Sequence, residues 1–188
     1  FVFIHGGYWM RFPPPTFRIW PKGRWREAER SRCPFTHWPL QSVWGKWRLD
    51  RGGAEALLGF IEVPLVVSGH SAGRHLAARM ACADIAVPIK CVVPISPLRD
   101  LTPIAQTQMN QNLGLSVEDV RQQSPTLLPK RSEVEAHIWV GGAERVRLFM
   151  AARLLSEAWD CPWSVVKDRH HFDVIDGLCD PHSELMRH

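Results

Sequence analysis

No apolar run in these 188 residues approaches the roughly 20 needed to cross a bilayer as a helix, so no membrane-spanning segment is expected. Cysteine is poorly placed for either of its structural uses. The five, Cys33, Cys82, Cys91, Cys161 and Cys179, are odd in number, widely spaced and without any C-x-x-C, which argues against a disulfide framework and a zinc site. A reducing, cytoplasmic compartment fits that usage. Internal repeats and low-complexity tracts are missing, which excludes a repeat architecture. An initiator Met and a signal peptide are also missing. The chain opens directly in an apolar strand, Phe1-Val2-Phe3-Ile4, so a truncated N-terminus is expected.

The composition is that of a globular protein, 45% hydrophobic and 22% charged, and the length suits a single domain, residues 1–188. The net charge of +4 is read as a solvated surface rather than as the mark of an acidic partner. The positive charge is concentrated between Lys22 and Arg51.

The strongest local signal runs from Val63 to Cys82. Leu65, Val66 and Val67 form a short apolar, largely β-branched run of the kind a buried strand needs. It ends in Gly69-His70-Ser71-Ala72-Gly73 and passes at once into an Ala-rich, helix-forming segment. Strand, G-x-S-x-G, helix is the arrangement of a nucleophile elbow, which holds a serine on a tight, strained turn. The residues two positions either side must be small so that strand and helix can approach closely. Such a turn lifts the Ser71 hydroxyl toward a base and aims the Ala72 N–H at a developing oxyanion. By composition alone the pattern arises in roughly one chain in twenty of this length, so its surroundings must support it.

Upstream, the first strand runs into His5-Gly6-Gly7-Tyr8-Trp9. Adjacent glycines there let the backbone bend and expose its N–H groups, where acyl-transfer enzymes find a second oxyanion donor. Alone the pair is equally an ordinary turn; with an elbow downstream the oxyanion reading prevails. Pro13-Pro14-Pro15 marks a loop, with a short helix expected to start at Thr16.

Downstream, a helix is expected over His75–Ala83, then a buried strand over Lys90–Ile95 leaving into the polar loop Ser96-Pro97-Leu98-Arg99-Asp100. Residues 97–134 read as a lid or cap insertion, or equally as a structural excursion, with a helix at Ser116–Gln123 capped by Ser116. Ala136–Val140 is the next strand, ending at Gly141-Gly142-Ala143-Glu144-Arg145. Val146–Trp159 is a helix, with Leu148, Ala152, Leu155 and Trp159 on one stripe. Pro162–Lys167 is the last strand, before His170-His171-Phe172-Asp173 and a short helix from Val174 to Leu178. Strands alternating with helices imply an α/β fold with a mostly parallel sheet covered by helices.

Residues 22–62 break the pattern. Trp25, Trp38, Trp44 and Trp47 crowd among Arg24, Arg26, Arg30, Arg32, Arg48 and Arg51, with neither strand alternation nor a sustained helical stripe. Basic residues among aromatics also suit single-stranded nucleic acid, but nothing else supports that reading. The preferred explanation is translation out of frame. Arg30–Phe35 can be encoded by codons which, read one nucleotide later, give a plausible buried strand.

A serine nucleophile needs a base, the base an orienting acid, and the oxyanion donors. The expected chain order is Ser, acid, His. Ser71, Glu144 and His171 satisfy it, each at a C-terminal strand end, the edge where open α/β sheets place their sites. Asp100 and Asp173 are the rival acids: Asp100 follows an earlier strand, and Asp173 is only two residues from His171. His170 is the rival base. His171 is preferred because Phe172 beside it can pack down and fix the loop. His70 points away from its own neighbour, and His5 is read as holding the glycine loop.

His5-Gly6-Gly7-Tyr8-Trp9, Gly69-His70-Ser71-Ala72-Gly73, Val140–Arg145 and His170-His171-Phe172-Asp173 together resemble the kynurenine formamidase (arylformamidase) and esterase branch of the α/β-hydrolase superfamily. The resemblance covers about 1–21 and 63–185. It implies Ser71 as nucleophile, Glu144 as acid and His171 as base, with an oxyanion hole from Gly7, Tyr8 and Ala72. His5, Gly6, Trp9, Gly69 and Gly73 complete the motifs. The implied activity is hydrolysis of an aryl formamide such as N-formylkynurenine, in tryptophan catabolism, or of a short acyl ester. No metal or organic cofactor is implied. The expected partner is a small-molecule substrate rather than nucleic acid or membrane, with a homodimer left open.

Two departures set up a second reading, a catalytically impaired hydrolase-like protein. Arg74 stands where relatives carry a small residue, and must reach outward or wedge the elbow helix from its strand. The irregular 22–62 segment should also leave one flank of the elbow strand unpaired.

Overall fold

A computed structural model of the protein describes residues 2–4, 17–19, 65–180 and 182–187. The irregular 22–62 stretch and the glycine loop from His5 to Trp9 lie outside these described residues.

The apolar runs become the strands β1 (Val2–Ile4), β2 (Phe17–Ile19), β3 (Leu65–Gly69) and β4 (Ile89–Pro94). Two further pieces, β5 (Glu135–Ala136) and β6 (Ile138–Gly141), precede the last strand, β7 (Trp163–Val166). Five strands lie in the order β2-β1-β3-β4-β5, and β6 pairs with β7. Every neighbouring pair is parallel except β1 with β2. The single strand expected over 136–140 is thus divided at His137: Ala136 pairs with Val92, whereas Ile138 pairs with Trp163. A bridge between Ile95 and Trp139 joins the two sets, and Ser96 N donates to Trp139 O at 2.6 Å. The mostly parallel α/β architecture read from the sequence is the one observed.

Four details differ from expectation. The helix expected from Thr16 is instead the strand β2, whose Phe17 and Ile19 suit a pleated backbone and whose register lies antiparallel to β1. The elbow strand does not have an open flank, because β1 pairs along one side of β3 and β4 along the other. The elbow helix α1 spans Ala72–Arg79, starting three residues early and stopping short of Ala83. Beyond it Cys82 pairs with Lys130 in a bridge, and the Arg131 guanidinium donates to Met80 O at 2.8 Å, binding a carbonyl left over at the helix end. The closing helix at Val174–Leu178 is a single tight turn over Asp176–Cys179, where Gly177 weakens any longer helix.

Alternation along the strands sorts the core into two layers. Val67, Val92, Ile138 and Val140 face one side, packed with Leu76 and Ala77 of α1. Cys91, Val93, Ile95 and Trp139 face the other, covered by Val174 and Leu185 from the C-terminal segment. Between β4 and β5 lie the short helices α2 (Thr102–Ala105), α3 (Asn110–Leu113) and α4 (Val117–Gln123). Ser116 caps α4 as expected, in a reciprocal arrangement with Asp119. The segment is tied back to α1 through Gln123, whose carbonyl accepts from His75 Nε2 at 2.7 Å. Helix α5 (Val146–Trp159) closes the first layer with Ala152, Leu155 and Trp159 buried, while Val146 on its other side is exposed. No helix among the described residues is long and apolar enough to cross a membrane.

Leu155 is fully buried in this layer. Leu155→Ala is expected to lower stability by about 2–5 kcal/mol through lost burial and the cavity left behind. Urea denaturation of both proteins reads that difference directly, and an unchanged midpoint would place Leu155 outside the core.

Candidate active site

The serine of the elbow sits where strand becomes helix. Ser71 has φ 55° and ψ −125°, a left-handed conformation costly for a residue with a side chain. It occupies the N-cap position of α1, yet its hydroxyl makes no capping hydrogen bond, so the side chain is not spent on ending the helix. The turn is held by Gly73 N donating to His70 O at 3.0 Å and by His70 N donating to Ile4 O at 3.1 Å. A Cβ on Gly69 would stand 2.3 Å from Gly73 O, so only glycine lets strand and helix come this close. Ala72 is the first residue of α1, and its N–H is one of those a helix start leaves without an intrahelical acceptor.

The other two candidates arrive from β6 and β7. Gly141 ends β6, and a Cβ there would lie 2.2 Å from Arg169 O. This close approach is fastened by Ala143 N donating to Arg169 O at 2.9 Å and Gly142 N donating to Val166 O at 2.8 Å. The chain after β7 is thereby drawn against the chain after β6, which brings His171 to Glu144. His171 Nδ1 lies 3.4 Å from Glu144 Oε2, and neither atom has another partner among the described residues. The Glu144 side chain is wholly buried, whereas that of His171 remains 22% exposed. The second carboxylate oxygen, Oε1, accepts from Ser96 Oγ. Burial pushes the Glu144 carboxyl up, but His171, Ser96 and the Arg74 charge together hold it below its ordinary value.

The rivals are occupied elsewhere. Asp100 accepts from Thr102 N at 2.6 Å, and Asp173 accepts from His170 N at 2.6 Å within its own loop. His170 is more than half exposed and lies 3.4 Å from Asp173. Phe172 does not pack down as expected: it is 77% exposed, its ring set edgewise to that of His171 at 5.4 Å. The His171 loop is fastened instead by His70, whose Nε2 donates to His171 O at 2.7 Å. His70 therefore supports the base candidate, a role its place beside Ser71 did not suggest. Ser96 was also missed. The only signal for it was its position, a hydroxyl directly after a strand at the edge where Ser71 and Glu144 emerge. The proposed oxyanion donors Gly7 and Tyr8, with His5, Gly6 and Trp9, lie outside the described residues. Among the described residues no group of three His, Cys, Asp or Glu side chains could hold a metal ion.

No family model matches the sequence. A solved structure of a provisionally named thioesterase from Silicibacter sp. tm1040 is 31% identical, covering 98% of this chain and 73% of its own, at a TM-score of 0.78. The chain belongs to the α/β-hydrolase family. Two partial likenesses accompany that match. Esterase 2 of Thermogutta terrifontis is 23% identical over 57% of this chain and 45% of its own, at a TM-score of 0.44. A puromycin-hydrolyzing peptidase of Mycobacterium tuberculosis is 16% identical over 64% and 21%, at 0.49.

Arg74 does not reach outward; it is only 8% exposed. Its Nε and Nη1 are buried without a partner among the described residues. Burial lowers its pKa to about 10, and the Glu144 charge opposes that fall. A buried donor without an acceptor costs roughly 1–3 kcal/mol, so Arg74→Met is expected to raise stability by about that amount. A lower thermal midpoint for Arg74→Met would instead mean that the guanidinium is satisfied.

Two buried histidines give the fold a pH signature. Burial lowers His70 and His75 from 6.5 to about 4, so both are neutral at pH 7. The unfolded chain protonates them near pH 6.5, so their contribution is complete above that value and is lost as pH falls toward 4. Each adds a slope of up to about 1.4 kcal/mol per pH unit in that window. Urea midpoints at pH 7 and pH 5 should therefore differ clearly, and equal midpoints would contradict the burial of both rings.

Proposed function

We propose that this chain is a serine hydrolase that cleaves small acyl substrates through an acyl-enzyme. Ser71 is the nucleophile, His171 the base and Glu144 the acid. The observation that carries the reading is the buried contact between Glu144 and His171 at the same sheet edge as a strained serine whose hydroxyl is not spent on capping. An ionised carboxylate behind Nδ1 keeps the proton on that nitrogen and leaves Nε2 free to accept one. His171 takes the Ser71 proton as Oγ attacks the substrate carbonyl, and the resulting imidazolium is stabilised by Glu144. It then returns the proton to the leaving group. Water activated by the same imidazole releases the acyl group.

The negative oxygen of each tetrahedral intermediate needs donors already in place. The Ala72 N–H is one, at the positive end of α1, and the N–H groups near Gly7 and Tyr8 are the proposed others. Losing one such donor typically costs about 10²–10³ in turnover.

The substrate class is a short acyl ester, a thioester or an aryl formamide of the N-formylkynurenine type. The thioesterase and esterase names of the similar structures favour the first two; the glycine-loop motif His5-Gly6-Gly7-Tyr8-Trp9 favours the last. In this reading residues 97–134 form the lid over the acyl site, and the protein works in the cytoplasm. A second reading, a hydrolase-like protein without turnover, is favoured by Arg74, whose Nε and Nη1 are buried without a partner among the described residues and whose charge acts on the acid.

A fluorophosphonate probe separates the two. The hydrolase reading expects stoichiometric labelling that disappears in Ser71→Ala, together with a fall in hydrolysis of p-nitrophenyl acetate of about 10⁴-fold or more. Folded protein that takes no label at all would overturn it. Relative rates on a short p-nitrophenyl ester, an acyl thioester and an aryl formamide then assign the substrate class.

A further inference from the structure

We infer that Ser96 is a positioning residue of this site, setting the plane of the Glu144 carboxylate so that its free oxygen faces His171. The inference rests on the reading of Glu144 and His171 as acid and base. Ser96 follows β4 and is fully buried. Its hydroxyl donates to Glu144 Oε1, the oxygen that does not face His171. A carboxylate on a two-carbon stem can turn about its last torsion, and that torsion is soft. With Oε1 tied to Ser96, the group has one remaining way to direct Oε2, toward Nδ1 of His171.

Three further observations show that Ser96 is held in place rather than resting there. Its backbone has φ 52°, a left-handed conformation uncommon for a residue with a side chain. Only four such non-glycine residues occur among the described ones, and two of them, Ser71 and Ser96, are at this site. Ser96 N donates to Trp139 O on β6, at 2.6 Å. The preceding residue, Ile95, donates its N–H to Gly69 O at the foot of the elbow, at 2.9 Å. The Ser96 backbone is thus pinned between the strand that carries Ser71 and the strand that leads to Glu144. Departure from the extended conformation there takes the side chain out of the strand's alternation and lets it reach the acid.

The hydroxyl also acts on charge. It is a donor to a carboxylate whose side chain has no exposed surface, and it favours the ionised form. Hydrogen bonds to charged groups are the strong class, so removing this one should be felt where the imidazolium forms rather than where substrate binds.

Ser96→Ala and Ser96→Gly test the inference together, since alanine removes only the hydroxyl and glycine also releases the left-handed backbone. Both are expected to lower kcat on p-nitrophenyl acetate by about tenfold to a hundredfold, with KM within twofold. Both should slow fluorophosphonate labelling of Ser71 in the same proportion, with urea midpoints confirming folded protein. The inference is overturned if either folded variant keeps kcat within twofold of the starting protein. A loss confined to one variant would thus mean that backbone shape, not the hydroxyl, matters. If the unsubstituted protein takes no label, the hydrolase reading fails and the positioning role is read by proton NMR instead. The His171 Nδ1–H resonance is expected to shift in Ser96→Ala, and an unmoved resonance would overturn the inference on its own.

Discussion

A carboxylate kept ionised with no surface exposed to solvent is the constraint on which this sheet edge depends. The Glu144 side chain has no exposed surface, yet its pKa stays below the ordinary value. Burial alone would push it up. The surroundings must therefore supply the donors that water would have given, and the local architecture can be read as the means of delivering them. Gly141 admits the Arg169 carbonyl, which brings the His171 loop close; the turn of the chain at Ser96 supplies a hydroxyl. His70 in turn holds His171 by its backbone, so the imidazole stays directed at the acid. Each contact is modest, but each removes a freedom that would let the carboxylate lose a partner.

Arg74 belongs to the same electrostatic neighbourhood but follows a different logic. Its charge helps to keep Glu144 ionised, while its own Nε and Nη1 are buried without a partner among the described residues. The arrangement favours the acid at the expense of the cation.

Much of this arrangement could be seen in the sequence because it depends on local patterns. The apolar run before Gly69, the stripe Ala152–Leu155–Trp159 and the cap at Ser116 each involve residues a few positions apart, so propensity and periodicity suffice. The C-terminal strand ends carrying Ser71, Glu144 and His171 were placed for the same reason. What escaped depends on contacts between distant segments. Ser96 and His70 make their hydrogen bonds at this site with partners 48 and 101 residues away. The strand β2 stands where a helix start is expected at Thr16, because its pairing with β1, rather than its own three residues, decides its conformation. The division of the strand around His137 likewise reflects neighbours on two sides, β4 before it and β7 after it. Phe172, next to His171, is expected to pack down and fix the loop, but the loop is anchored by polar contacts that leave the ring outside.

The sheet itself acts as a ruler for the site. Reading across β3, β4, β6 and β7, each strand in turn hands one residue to the edge: Ser71, Ser96, Glu144, His171. Neighbouring strands lie about 4.8 Å apart, so the first and last of these begin roughly 14 Å from each other. No side chain is long enough to close that gap alone. The segment after β7 must lean back across two intervening strand ends, and the bond from His70 to the His171 carbonyl marks where it comes to rest, directly beside the elbow. Any change in twist between these four strands would therefore be magnified at the serine, because the histidine measures its distance from the far end of the row.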